Sequence, residues 1–131
     1  MRRASAMAAV FFAMLAGCAV PYEPEPVRHL VPLPADAFDR VLAVFRDRYP
    51  KVAEADREAL RIQSAWLPFQ RGDVPGERRA SVFRGDDGYL HVIVEMRFLQ
   101  PDATGLTPTN IVGDRRAEQE LAAILEAELA R

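Results

Sequence analysis

The chain has 131 residues, with 17 basic and 19 acidic side chains, two histidines and a net charge of −2. A chain of this length supports one domain around one core. The acidic balance and the lack of a basic stripe argue against a nucleic-acid partner, and the single cysteine rules out an internal disulfide.

Arg2 and Arg3 open the chain, and residues 6–16 follow without a charged or strongly polar group. As a helix these eleven residues would measure roughly 16 Å, about half a bilayer core, which is too short to span and suits a signal peptide. The run ends in Leu15-Ala16-Gly17-Cys18. This stretch resembles the lipobox of bacterial lipoproteins. The resemblance implies cleavage between Gly17 and Cys18, a diacylglyceryl group on the Cys18 sulfur and a further palmitate-like chain on the new amino terminus. A secretory cleavage after Ala19 or an uncleaved anchor are the rival readings, but neither requires a cysteine at that point. Several acyl chains anchor a protein stably where one does so only marginally. Ala19 stands where an aspartate would imply inner-membrane retention, so the resemblance implies the inner leaflet of the outer membrane, facing the periplasm. The leader takes two of the arginines and no acid, so the mature chain moves to a net −4. With Cys18 acylated, no thiol remains for a metal site or a nucleophile.

Residues 18–34 hold five of the ten prolines and read as a lipid-anchored tether. Its part over 19–26 is semi-rigid, with a reach of roughly 25 Å. Residues 27–31 suit a short edge strand or more tether. Residues 35–49 follow with Phe38, Val41, Leu42, Phe45 and Tyr49 at helical spacing, and Pro50 stops the helix. Residues 52–56 suit a strand or a turn. Over 60–69 a strand is predicted, with Leu60, Ile62, Ser64 and Trp66 on one face. Residues 70–77 are polar and read as a loop.

Residues 78–84 and 89–99 are predicted to form a hairpin. In its second arm Leu90, Val92, Val94, Met96 and Phe98 alternate with Tyr89, His91, Ile93, Glu95 and Arg97. A two- or four-residue loop would turn Ser81 and Phe83 to the core, whereas a three-residue loop would turn Ala80 and Val82. Residues 101–113 read as a loop. Asp114 is a good N-cap for a last helix to about Leu129, with Ala117, Leu121, Ile124, Leu125 and Leu129 as its stripe and Glu118, Glu120, Glu126 and Glu128 on its wet side. The pattern predicts an α+β two-layer sandwich over residues 35–131, an antiparallel sheet of three to four strands with two helices packed on one face.

Residues 36–98 resemble, in layout, the domains of the C lipoprotein of the outer-membrane barrel-assembly machine: a helix, then Glu54-Ala55-Asp56-Arg57 leading into Leu60-Arg61-Ile62-Gln63-Ser64-Ala65-Trp66, then a hairpin. The chain departs from that family in having one such domain and a shorter tether. The resemblance implies a helix-on-sheet envelope lipoprotein.

Candidate chemistry is sparse. His91, Glu95 and Arg97 share one strand face and form the best candidate polar surface, although such rows are usually the solvated side of a sheet. Arg71-Gly72-Asp73 and Arg84-Gly85-Asp86 spell an integrin-binding tripeptide, yet both fit turns better. Asp86 and Asp87 read as turn residues before a cation site. Trp66 with Tyr89 suggests a ligand groove, but Trp66 shares the face of Leu60 and Ile62 and is assigned to the core. Ser64 and Ser81 lack a nucleophile elbow, and His29 lies beside the tether. No catalytic residue, metal site or cofactor is expected. The expected role is a membrane-anchored, non-enzymatic protein-interaction or structural module with an envelope protein as partner. A binding domain for a lipid or glycan fragment is the alternative, and a cell-wall hydrolase is the weakest.

Overall fold

A computed structural model describes residues 22–131. The leader, Gly17, Cys18 and residues 19–21 lie outside the described residues.

The elements run β1 (Glu25–Pro26), α1 (Ala37–Arg48), β2 (Val52–Asp56), β3 (Arg61–Ser64), β4 (Leu67–Arg71), β5 (Val74–Arg84), β6 (Leu90–Asp102), β7 (Gly105–Pro108), β8 (Val112–Gly113) and α2 (Arg115–Leu129). The expectation of three to four strands is corrected: among the described residues the sheet has eight, all antiparallel. Its main path is β1-β6-β5-β3-β2, with β4 added to β5, and β7 and β8 added to β6. The short strand near the start falls at Glu25–Pro26, and residues 27–31 contain none.

The two loops assigned at 70–77 and 101–113 are largely strand. Arg71 pairs with Val74 across a two-residue turn, where Gly72 takes φ +60, a conformation open to glycine at the first turn position. Asp102 pairs with Gly105 across another two-residue turn. There hydrogen bonds from the Thr107 and Thr104 hydroxyls and the Thr104 N–H hold the Asp102 carboxyl down at about 2. Prolines sit in these arms only where a strand has a partner on one side. Pro68 lies in β4, which pairs β5 alone, Pro75 lies beyond the β6 pairing, and Pro101 faces β7 alone.

Both helices pack on one face. Phe38, Val41, Phe45 and Tyr49 from the α1 side and Leu121, Ala122 and Leu125 from α2 cluster with Ile62, Ala80, Val82, Leu90, Val92 and Val94. The β5–β6 pairing closes at Arg84 and Leu90, leaving a five-residue loop over 85–89. That odd number selects Ala80 and Val82 as the inward residues.

Ile62 pairs with Val82 in β3, but Leu67 pairs with Arg78 in β4, so the register slips by one residue between them. Ala65 and Trp66 together oppose Arg79, which is a β-bulge. The bulge overturns the assignment of Trp66 to the core: past it the strand's faces exchange, Leu67 packs against the core and Trp66 turns to the opposite side of the sheet. Ser64, itself buried, repairs the ladder. Its Oγ accepts the Ala80 N–H (3.0 Å) and donates to the Ala65 carbonyl (2.8 Å).

Ser64→Ala is therefore expected to leave the Ala80 N–H buried and unpaired, at a cost of about 1–3 kcal/mol. Ser81→Ala, on the half-exposed face, is expected to cost under about 0.5 kcal/mol. Urea melts of both variants check this, and equal losses would contradict the account of the bulge.

Candidate functional site

The helices leave the other face of the sheet bare, and the side chains there follow from the register. Gln63, Ser81 and Ile93 form one row, Arg61, Phe83 and His91 another. Next to them stand the pairs Arg79–Glu95 and Glu77–Arg97. A groove of about 610 Å³ crosses these strands. Phe83, Ile93, Gln63, Ser81 and Glu95 make its floor, Glu54 and Arg61 one end, and Tyr22, Ile111, Val112 and Gly113 the wall at the β6 edge.

The polar groups of this face are tied to one another. Arg79 binds Glu95 (3.0 Å), Arg97 binds Glu77 (2.9 Å), and Gln63 donates to the Ser81 hydroxyl (3.1 Å). The Trp66 ring packs against both arginines, with guanidinium carbons 4.5 Å (Arg79) and 4.0 Å (Arg97) from its centroid. Tyr89, the other residue of the possible Trp66–Tyr89 groove, stands at the hairpin end, 5.2 Å from the His29 ring.

His91, Glu95 and Arg97 do share this face, and each is bound to a different partner. His91 stacks on Phe83 (5.7 Å) and bonds Asp87 (3.1 Å), while Glu95 and Arg97 are held as above. Hydrogen bonds from His91 and then from the Tyr89 N–H hold the Asp87 carboxyl below its ordinary range. Arg71-Gly72-Asp73 and Arg84-Gly85-Asp86 fall at hairpin turns. Among the described residues no group of three or more histidines, cysteines or acids stands close enough to hold a metal ion.

The groove's outer wall rests on Glu118, which sequence reading had placed on the wet side of α2. It is fully buried. Its Oε2 accepts the Val94 N–H (3.0 Å) and the Tyr22 hydroxyl. Its Oε1 lies 3.5 Å from Arg115 Nη1 and has no hydrogen-bond partner among the described residues. Arg115 in turn binds the Glu23 carbonyl (2.7 Å) and Glu25 (3.2 Å), and Val27 is wholly buried. Residues 22–27, assigned mostly to a free tether, are thus fastened to the domain. Tyr22 fits because position 113 is glycine: a Cβ there would collide with its ring. The signal for Glu118 was present, since Glu118, Leu121, Ala122 and Leu125 stand at i, i+3, i+4 and i+7.

Partial burial, then the bond to Glu118 and that carboxylate's charge push the Tyr22 phenol well above its ordinary value of 10.0. Burial raises Tyr49 too. Both folded-state values lie above the unfolded one, so their contribution is complete below pH of about 10 and is lost as pH rises further. Tyr22→Phe is expected to cost about 1–3 kcal/mol at neutral pH. It should also flatten the loss of stability above pH of about 10, leaving the part due to Tyr49. Urea melts at neutral and alkaline pH check both. An unchanged alkaline slope would contradict the latch.

No family model matches the chain, and no curated protein matches it in sequence.

Proposed function

We propose that this protein is a lipid-anchored, non-catalytic recognition module of the cell envelope, related in layout to the helix-on-sheet lipoproteins and held by acyl chains on Cys18 at the periplasmic side of the outer membrane. Its bare sheet face receives an extended segment of another envelope protein. The observation that carries this reading is the groove: about 610 Å³ in volume, apolar along Phe83, Ile93, Ile111 and Val112, with Gln63 and Glu95 in its floor and Glu54 and Arg61 at one end. An apolar floor with a few placed polar groups is the usual make-up of a binding site. The groove's charged side chains are engaged with neighbours, Glu95 with Arg79 and Arg61 with Glu54. That suits a fixed surface better than proton transfer, which needs an available acid or base.

The alternative occupant is a lipid or glycan fragment. The groove's volume favours it, because it lies within the roughly 300–1,000 Å³ of small-molecule sites.

A photoreactive residue placed at Glu54, on the groove rim, and separately at Ala123, on the exposed side of α2, tests the reading in the full-length protein in intact envelopes. The expected result is one discrete protein adduct from position 54 and none from 123. Phe83→Asp should abolish that adduct without moving the urea midpoint. A small molecule bound in native mass spectra, with no protein adduct, would replace the first reading by the second. Equal adducts from both positions would overturn both.

A further inference from the structure

Eight large apolar side chains are exposed among the described residues, and Tyr22, Ile111 and Val112 meet on the groove's outer wall, each close to half exposed. On the helix side of the same β8–α2 junction lies a second cleft, of about 340 Å³. Four arginines, Arg48, Arg71, Arg78 and Arg116, line it against two carboxylates, Asp114 and Glu120. Val112 and Gly113 belong to the groove and Asp114 to the cleft, so the apolar patch and the arginine cleft flank one rim. This positive excess sits on a chain whose net charge is −2.

The place where the chain enters the domain completes the picture. Tyr22 is part of the patch, and three residues separate it from Cys18. Four Cα steps reach at most about 14 Å. A second exposed apolar corner, Leu30, Val31 and Tyr89, lies at the hairpin end of β6, beside Gly88 and Leu90, whereas Val112 pairs with Met96. Along a strand those positions are about 20 Å apart.

From these three observations we propose that the Tyr22–Ile111–Val112 rim rests directly in the headgroup region of the phospholipid bilayer, with the arginine cleft beside it on lipid phosphates. The groove then opens at the membrane surface. This orientation rests on the acylation of Cys18. Aromatic and aliphatic side chains enter the interface while guanidinium groups pair with phosphate, and basic residues near an anionic surface add to the attraction. Partners that are themselves in the membrane meet the groove without any stretching of the anchor.

The acylated full-length protein in phosphatidylglycerol–phosphatidylcholine vesicles provides the test. Cys18 is the only cysteine, so once it is acylated Val112→Cys and Leu30→Cys each supply a single thiol for an environment-sensitive fluorophore. The expected result is a blue shift at 112 and loss of emission when a shallow nitroxide-labelled lipid is included, with neither at 30. Replacing phosphatidylglycerol by phosphatidylcholine should weaken the loss at 112. Equal quenching at the two positions, quenching at neither, or a blue shift at 112 without lipid quenching would overturn the orientation; the last would mean that a protein segment covers the rim. Quenching at 112 that ignores anionic lipid would overturn the part given to the arginines. Intact mass on the same sample reads acylation, and an unmodified Cys18 would overturn the lipoprotein reading and this orientation together.

Discussion

Everything distinctive in this fold follows from closing the outer edge of β6. Thirteen residues long, β6 pairs β5 along one side, and among the described residues no strand of matching length pairs the other. Unpaired backbone groups at such an edge must find partners if they are to be buried. Short pieces supply them. β1 covers His91 and Val92, β8 covers Glu95 and Met96, and β7 covers residues 99–102. Between the pieces, three side chains accept edge N–H groups that stand four residues apart along β6. His29 Nε2 takes Leu90 (2.9 Å), Glu118 Oε2 takes Val94 (3.0 Å) and Thr109 Oγ1 takes Phe98 (3.0 Å). The other ring nitrogen of His29, Nδ1, lies 2.7 Å from the Leu30 carbonyl.

That patchwork brings three distant parts of the chain to one line. The N-terminal segment arrives as β1 and His29, the 105–113 arm as β7 and β8, and α2 as Asp114 and Glu118. The Asp114 N–H donates to the Val94 carbonyl (2.8 Å) while its side chain caps α2 at Ala117, so the helix begins where the edge needs it. The groove wall is a by-product of this closure, because Tyr22, Val112 and Gly113 are edge-closing residues that also overlook the bare face. The bulge at Ala65 and Trp66 shapes the same face from within. It delivers an aromatic ring to the two arginine–glutamate pairs, and Ser64 replaces the lost ladder bond. A surface of paired charges around an apolar floor is suited to recognition.

The parts legible in the sequence are those that bury a regular stripe. Phe38, Val41 and Phe45 mark α1. Asp114 followed by Leu121 and Leu125 marks α2, and Leu90, Val92 and Val94 mark β6; each element lies close to its expected place. The strand residues that alternation does not mark, 70–71 of β4, 74–77 of β5, and those of β7 and β8, bury few apolar side chains. The bulge escaped because nothing local distinguishes Ser64-Ala65-Trp66 from a straight strand; only the pairing with β5 reveals it. Glu118 was misjudged by residue type, although its spacing to Leu121 and Leu125 was that of a core position. Of the candidate site, the shared face of His91, Glu95 and Arg97 was legible. The groove was not, since its wall comes from segments read as tether and loop.

Backbone amide exchange, followed residue by residue in the wild type and in Glu118→Ala, measures the edge closure most directly. The account predicts that the Val94 amide is protected in the wild type to nearly the same degree as the Val82 amide in the sheet interior. In the variant, Val94 and residues 22–27 should exchange fast while Val82 and Ile62 stay protected, because the loss is local opening of one edge. A Val94 amide that exchanges freely in the wild type, or a variant in which residues 22–27 keep their protection, would contradict the claim that a buried carboxylate closes this sheet and fastens residues 22–27 to it.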